Sequence, residues 1–476
     1  MVKVSPAALG AFASSPPGST FGRGDGPVEM TRTDPVRTEA VRLLEEVESG
    51  AGLAPLLEGL ESRFDGRDRR FVRQLTSGVL QWRGRLDWIL ASFSSRPLDS
   101  LTPRVLHILR LGAYQLLWLD RVPPSAAVHT AVDLARRPGH AGAAGFVNAV
   151  LRRVSAEGAR VSYPHRDGDP EGYLSVYHSH PQWLVSRWLH RWGPARTEAL
   201  LRANNEPPTL FVRPDPRFGN ARRLVESLPE SLGPVLVDAR PEACRIERPE
   251  GFFDSHAFRQ GRCFVQDLNA GLAVELLAPR PGDRVLDACA APGGKSVQLA
   301  LAAGQVRVAA GDLSRARLRR LRENRDRMRL KGIHLFAGDA SAGPHPPGAF
   351  DRVLVDAPCS GTGVLRRRPE ARWRKSESDL AQQSQRQSAI LGAAFEALRP
   401  GGRLVYSTCS LEDEENDTVV DGLLARRSDA RLEPASRRFP GVAWAARTIQ
   451  TLPGREAGDG AYAALIHKLH RRGREP

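Results

Sequence analysis

At 476 residues with 41% hydrophobic side chains, the chain is too long for one core and apolar enough to bury about three. It has no uninterrupted apolar run of roughly 18 residues, which argues against a helical membrane span. Its 69 Lys and Arg against 54 Asp and Glu leave a net charge of +15, a balance that suits a polyanionic partner such as nucleic acid. Five scattered cysteines without a Cys-x-x-Cys pair offer neither a disulfide framework nor zinc-ligand spacing, so no metal site is expected and reduced thiols in a cytosol fit best.

Residues 1–33 are rich in Pro, Gly, Ser and Ala without apolar period and read as a disordered tail. From Asp34 the pattern changes. Val36, Ala40, Leu43, Leu44 and Val47 repeat at helical spacing behind an Asp34 N-cap and Pro35, and similar periods recur as far as Val154. Residues 34–160 are therefore expected to form an all-helical domain. A polar, turn-rich stretch at 155–173 reads as a linker. The next segment, His180–Gly193, interleaves Trp183, Trp188 and Trp192 with Arg187 and Arg191; its spacing suits core packing first and stacking on RNA bases second. Short mixed strands such as 209–213 then suggest a small α+β connecting domain over 161–263.

From residue 264 to 470, short apolar runs alternate with helical stretches, the signature of a doubly wound, Rossmann-like α/β domain. Strands are expected at 284–289, 306–313, 333–339, 350–357 and 402–409, and a last one at 461–469 closes the sheet edge. Ligands of such sheets bind beyond the carboxyl ends of the strands.

The first of those ends is DACAAPGGKS, residues 287–296. Its Gly-Lys-Ser ending matches a phosphate-cradling loop, but the first glycine of that loop is replaced by Cys289. A nucleoside-triphosphate site would also need a magnesium-binding acid, for which Asp356 is the available residue. Against that reading, Asp312 ends the second strand 25 positions after Asp287, near the spacing at which a carboxylate holds ribose hydroxyls. Asp339 ends the third and is placed for an adenine edge. The series favours an adenosine-bearing cofactor with a small anion, such as S-adenosylmethionine. Its cradle would be Cys289, Ala290, Ala291, Pro292, Gly293, Gly294 and Lys295, with Asp312, Asp339 and Asp356.

Two cysteines fall at the next strand ends, Cys359 in DAPCSGTG and Cys409 in YSTCS. One buried cysteine is usually inert packing; two at adjacent strand ends beside a cofactor loop point to thiol chemistry. The segment 365–375 that follows places Arg366, Arg367, Arg368, Arg372, Arg374 and Lys375 around Trp373, an arrangement suited to gripping RNA phosphates. The arginines of 314–332 read instead as the solvent face of a helix. After Cys409, the acids Glu412, Asp413, Glu414 and Glu415 look like a first helical turn, where negative charge would raise a thiol pKa and Lys295 would offset it.

These motifs together resemble the RNA cytosine-5 methyltransferases of the Sun/RsmB type. The likeness rests on 264–271, 286–295, 356–373, 400–416 and 452–466, and FVNAVLRR at 146–153 resembles the NusB-like RNA-binding domain that such bacterial enzymes carry in front. The resemblance implies a cytoplasmic, monomeric enzyme. It would transfer methyl from S-adenosylmethionine to carbon 5 of a cytosine in 16S ribosomal RNA, unassembled or partly assembled. It assigns Cys409 as the attacking nucleophile, Cys359 to proton removal or product release, Asp356 to the base and Lys295 to the gap between cofactor and thiols. Gly271 departs from the glutamine usual in such relatives. A non-catalytic RNA-binding assembly factor and a P-loop NTPase are the other readings.

Overall fold

The computed structural model describes residues 34–136, 142–304 and 306–470; the tail expected at 1–33 lies outside them. The N-terminal region is all helix: α1 (Pro35–Glu48), α2 (Leu53–Glu58), α3 (Gly66–Phe93), α4 (Pro103–Trp118), α5 (Pro124–Ala135) and α6 (Ala143–Glu157). Helix α1 starts where its sequence dictates, because the Asp34 carboxylate accepts from Arg37 N–H at 2.9 Å and Pro35 needs no partner. Its apolar stripe, Leu43, Leu44 and Val47, meets Leu75 and Leu86 of α3 and Leu109 of α4 in one core. Close packing of α3 on α4 requires a glycine. A Cβ at Gly78 would sit 2.0 Å from the Tyr114 ring.

The connector begins with α7 (Pro170–Tyr177) and α8 (Gln182–Ala203). Gly193, at φ 73°, and Pro194 kink α8, and Trp188 is buried in the core as its spacing predicts. Strand β1 (Leu210–Pro214), helix α9 (Ala221–Ser227), β2 (Pro234–Leu236), β3 (Cys244–Ile246), α10 (His256–Arg259) and β4 (Cys263–Val265) follow. The four strands form an antiparallel sheet in the order β2-β3-β1-β4. The boundary expected at 263/264 therefore cuts through β4. Strands of three residues carry no readable alternation.

The C-terminal domain runs α11 (Leu272–Leu277), β5 (Arg284–Asp287), α12 (Gly294–Ala302), β6 (Arg307–Asp312), α13 (Arg315–Arg327), β7 (Ile333–Ala337), β8 (Phe350–Asp356), α14 (Ala371–Arg374), α15 (Glu377–Ala397), β9 (Leu398–Thr408), α16 (Asp417–Arg426), β10 (Ala430–Glu433), β11 (Ile449–Thr451) and β12 (Ala461–Lys468). The sheet order is β10-β12-β9-β8-β5-β6-β7, with β11 on β12. From β9 to β7 the strands are parallel. The expected closing edge strand is corrected: β12 lies inside, antiparallel between β9 and β10. Strand order reverses between β5 and β8, so the loops after these strands flank the topological switch point. At Gly271, a Cβ would fall 2.3 Å from the Arg213 guanidinium. Here the space of a longer residue is filled from β1.

Gly78→Ala is expected to destabilise the helical domain by about 1–3 kcal/mol, as overpacking does; denaturant unfolding followed by circular dichroism measures it.

Candidate active site

The loop after β5 is pinned from both sides. Ala288 N–H donates to the Leu354 carbonyl and Ala290 N–H to that of Gly311, at 2.9 and 2.7 Å. Gly293 has φ 111°, and a Cβ there would meet Leu321 Cδ1 at 2.3 Å, so only glycine lets the loop turn into α12. The apparent phosphate motif is put to other uses. Ser296 Oγ donates to Asp287 Oδ2 at 2.6 Å, and Lys295 Nζ lies 2.6 Å from Asp356 Oδ1. Neither side chain is left for a triphosphate or its magnesium, and the NTPase reading loses its support. Burial pushes the Asp287 carboxyl up to about 7, with Asp356 and Asp312 adding to the shift and Ser296 and Lys295 opposing it. Cys289, pushed up to about 12 by burial, is a neutral wall of the loop rather than a reactive thiol.

Asp312 ends β6 as expected. Its buried carboxylate accepts from Ser314 N–H at 2.8 Å, Arg317 at 2.9 Å and Ala291 N–H at 3.3 Å. Asp339 stands exposed, two residues past the end of β7. It accepts from Ser341 Oγ and N–H at 2.7 and 2.9 Å, contacts that hold its carboxyl below the usual range. Beside the loop opens a cleft of about 390 Å³, lined by Asp287, Pro292, Gly294, Lys295 and Asp356. Two further lining residues, Phe253 and Phe258, come from the connector. Sequence reasoning missed them: Phe253 is exposed in a 3₁₀ turn and Phe258 half-buried in the four-residue α10, and elements this short give no periodic signal.

Cys359 and Cys409 do meet: their sulfurs are 3.2 Å apart. Neighbouring strands β8 and β9 deliver them, and facing glycines bring the loops together. Gly363 N–H donates to the Cys409 carbonyl at 2.9 Å and Gly460 N–H to that of Gly363 at 2.8 Å, with a Cβ at either glycine inside 3.0 Å of the other's backbone. The two thiols are driven apart in acidity. Cys359, donating to its partner and buried, is held well above its ordinary value. Cys409 is lowered, first by the hydrogen bond from Cys359 and then by Arg368 and Lys295, against burial and Asp356. Lys295 stays charged: burial works against its ammonium, but Asp356 and Cys409 outweigh it and hold its pKa up.

The acids after Cys409 do not act on it as their sequence position suggested. Asp413–Glu415 form a 3₁₀ turn ahead of α16, Glu415 turns toward Ser360, and the connector pairs with the other three acids. Glu412 accepts from Trp188 Nε1 and Arg187 Nε, both at 3.1 Å; Glu414 pairs with Arg187 at 2.7 Å and Asp413 with Arg191 at 2.5 Å.

The expected RNA grip is corrected more strongly. Arg366 pairs with Asp459 at 2.5 Å, and Arg367 with Asp459 and with Asp267 at 3.1 Å. Arg372 is 1% exposed, with carbonyl and amide oxygens around it, and burial lowers its pKa to about 9. Trp373 Nε1 donates to the Leu80 carbonyl at 2.6 Å, and Arg374 to those of Val47 and Ala51. Of the six basic residues expected to grip RNA, Arg368 and Lys375 keep their side chains unpaired among the described residues, and Arg368 is the one beside Cys409. Part of the basic face of α13 is also spent on protein, since Arg327 bonds the Phe258 and Cys263 carbonyls.

Comparison with known proteins gives each part a counterpart. Residues 34–156 match the NusB family, 180–250 the ferredoxin-like domain of RsmF/B-like methyltransferases, and 274–467 the family described as 16S rRNA methyltransferase RsmB/F. The class is thus an RNA methyltransferase with a NusB domain in front of a Rossmann-like catalytic domain. "Ribosomal RNA small subunit methyltransferase B" of Cronobacter sakazakii is 35% identical over 445 residues, covering 92% of this chain and all of that protein. In fold, the crystal structure of PH0851 matches with a TM-score of 0.76 at 24% identity, covering 91% of this chain and 99% of that one. NSun6 from Pyrococcus horikoshii, solved with SFG, gives 0.53 at 21% identity over 61% of this chain and 98% of its own. The chain belongs to the RsmB/F family of S-adenosylmethionine-dependent rRNA methyltransferases.

The split acidity of the thiols predicts that a small alkylating agent modifies Cys409 before Cys359. Cys359→Ala removes the hydrogen bond that lowers Cys409, so alkylation of Cys409 near pH 7 is expected to slow; mass spectrometry of tryptic peptides reads both effects.

Proposed function

We propose that the protein methylates carbon 5 of a specific cytosine in 16S ribosomal RNA through a covalent bond between Cys409 and carbon 6. The observation that carries this reading is the pair of thiols 3.2 Å apart, one lowered and one raised in pKa, beside the Lys295–Asp356 ion pair. Carbon 5 of cytosine is a poor nucleophile. Addition of the Cys409 thiolate to carbon 6 places the electron pair on carbon 5. The Asp356 carboxylate, fixed by Lys295 and by Ser407 Oγ at 3.0 Å, accepts from the exocyclic amine and holds the ring against Cys409. Bound S-adenosylmethionine supplies a methyl group as an electrophile. The proton on carbon 5 then leaves to a water that the protonated Cys359 thiol orients, the electron pair re-forms the carbon 5–carbon 6 double bond as the Cys409–carbon 6 bond breaks, and the thiolate is restored.

The donor set at the loop fits that cofactor. Backbone amides open α12, which suits one carboxylate, while Asp312 at the end of β6 and Asp339 just past β7 are assigned to the ribose and the adenine edge. The loop 289–295 contributes backbone and packing rather than a reactive Cys289. The target base must leave its stack to reach Cys409, so an opened segment of unassembled or partly assembled 16S rRNA is the substrate, with Arg368 available to a phosphate near the thiol.

Incubation with labelled S-adenosylmethionine and unmodified 16S rRNA is expected to label cytosine alone; label on another base, or none with a folded sample that binds the cofactor, overturns the assignment. Cys409→Ala is expected to abolish transfer. Cys359→Ala is expected to leave a protein–RNA adduct that survives denaturing electrophoresis, and the reverse pattern exchanges the two roles. Asp312→Asn is expected to weaken cofactor binding roughly tenfold, about one hydrogen bond, measured by calorimetry.

A further inference from the structure

The chain from Cys359 to Arg374 is fastened at both ends. Near Cys359, Ser360 N–H donates to Glu415 at 2.8 Å, Thr362 Oγ1 accepts from Leu411 N–H at 2.8 Å, and Arg366 and Arg367 close on Asp459. At the far end the fastening leaves the catalytic domain. Arg372 donates to the Gln81 carbonyl of α3 at 3.2 Å, to that of Ser179 past α7 at 2.9 Å, and, past α8, to the Asn204 carbonyl at 3.1 Å and Asn205 Oδ1 at 3.0 Å. Trp373 fills the space over Gly84, where a Cβ would meet its ring at 2.9 Å, and Arg83 lies 5.6 Å from its ring centre. Even the backbone is shaped for this contact. Ser179 takes φ 58°, a conformation rare for serine, and its Oγ accepts from Gly84 N–H at 3.0 Å. Between the two fastenings stands Arg368, unpaired and close enough to lower the Cys409 thiol.

We infer that Arg372 and Trp373 are positioning residues for methyl transfer: by docking the chain after Cys359 into the NusB-like domain and the connector, they hold Arg368 beside Cys409. The inference rests on the reading of Cys409 as nucleophile. Residues coding for an apparent RNA grip are on this account a strap, and the NusB-like domain is a wall of the catalytic unit rather than a detachable RNA handle. A fully buried guanidinium facing only oxygens of three separate elements has no alternative partners, so losing it or its neighbour frees the segment as a whole. A displacement of about 1 Å of a group acting on the nucleophile costs up to about a hundredfold in rate.

The test compares native protein, Trp373→Ala and Trp373→Phe in methylation of 16S rRNA across pH, with cofactor binding by calorimetry as the measure of an intact catalytic domain. Trp373→Phe keeps a ring over Gly84 and loses the donor to Leu80. The groups facing Cys409 are Cys359, Asp356, Lys295 and Arg368; removing the last raises the thiol pKa. The expected result is a kcat lowered about ten- to a hundredfold in Trp373→Ala and less in Trp373→Phe, an acid limb shifted to higher pH, and unchanged affinity for S-adenosylmethionine. Native kcat and native acid limb in a variant that binds the cofactor overturn the inference. If Trp373→Ala fails to bind the cofactor, Trp373→Phe decides by the same two readouts. A native chain that makes no 5-methylcytosine overturns the functional reading itself, and the inference with it.

Discussion

One buried carboxylate holds the active site in register. Glu415 is fully buried, and it accepts from Ser360 N–H, Ser360 Oγ and Gln387 Nε2. Burying a carboxylate costs several kcal/mol unless donors replace its water, and these three do so while joining the loop after β8, the turn after β9 and helix α15. Tyr406 of β9 adds its hydroxyl to the Glu415 carbonyl at 2.6 Å. With the two loops locked this way, the Cys359–Cys409 distance follows from the sheet. Adjacent parallel strands lie about 4.8 Å apart, and the Gly363–Gly460 contact draws their loops closer.

The same lock explains how an acidic turn coexists with a nucleophilic thiol. Four acids follow Cys409 within six residues, and left free they would disfavour a thiolate. Glu415 is turned toward Ser360; Glu412, Asp413 and Glu414 are drawn off by Arg187, Arg191 and Trp188 of α8. What faces Cys409 is then a hydrogen-bond donor and two cations, with Asp356 already engaged by Lys295. The connector therefore acts on the chemistry electrostatically, from a helix whose arginines the linear sequence offered to RNA.

The legibility of the sequence follows the same division between local and distant causes. Strands β5 to β9 were readable because central parallel strands are continuous apolar runs, and the loop 289–295 because its glycines answer to local backbone shape. The position of β12 was misjudged although Tyr462, Ala463, Ala464, Leu465 and Ile466 are all buried: the run marks a strand covered on both faces, while its outer neighbours β10 and β11, four and three residues long, leave no pattern of their own. Residues 366–374 were misread for a different reason. Nothing near them in sequence shows that carbonyls from α1, α3 and the turns after α7 and α8 would converge there.

That misreading bears on what a net charge of +15 means. An arginine paired with a carboxylate cancels in the count. One held by carbonyl oxygens does not: Arg327, Arg372 and Arg374 remain in the sum while their donors are turned inward. Guanidinium suits this use because its planar fork satisfies several oxygens at once and stays protonated when buried, and helix ends supply carbonyls that lack intrahelical partners. Positive charge in this chain is thus partly a device for fastening domains. The portion available to RNA phosphates is what remains after those arginines are set aside, and beside the nucleophile it narrows to Arg368.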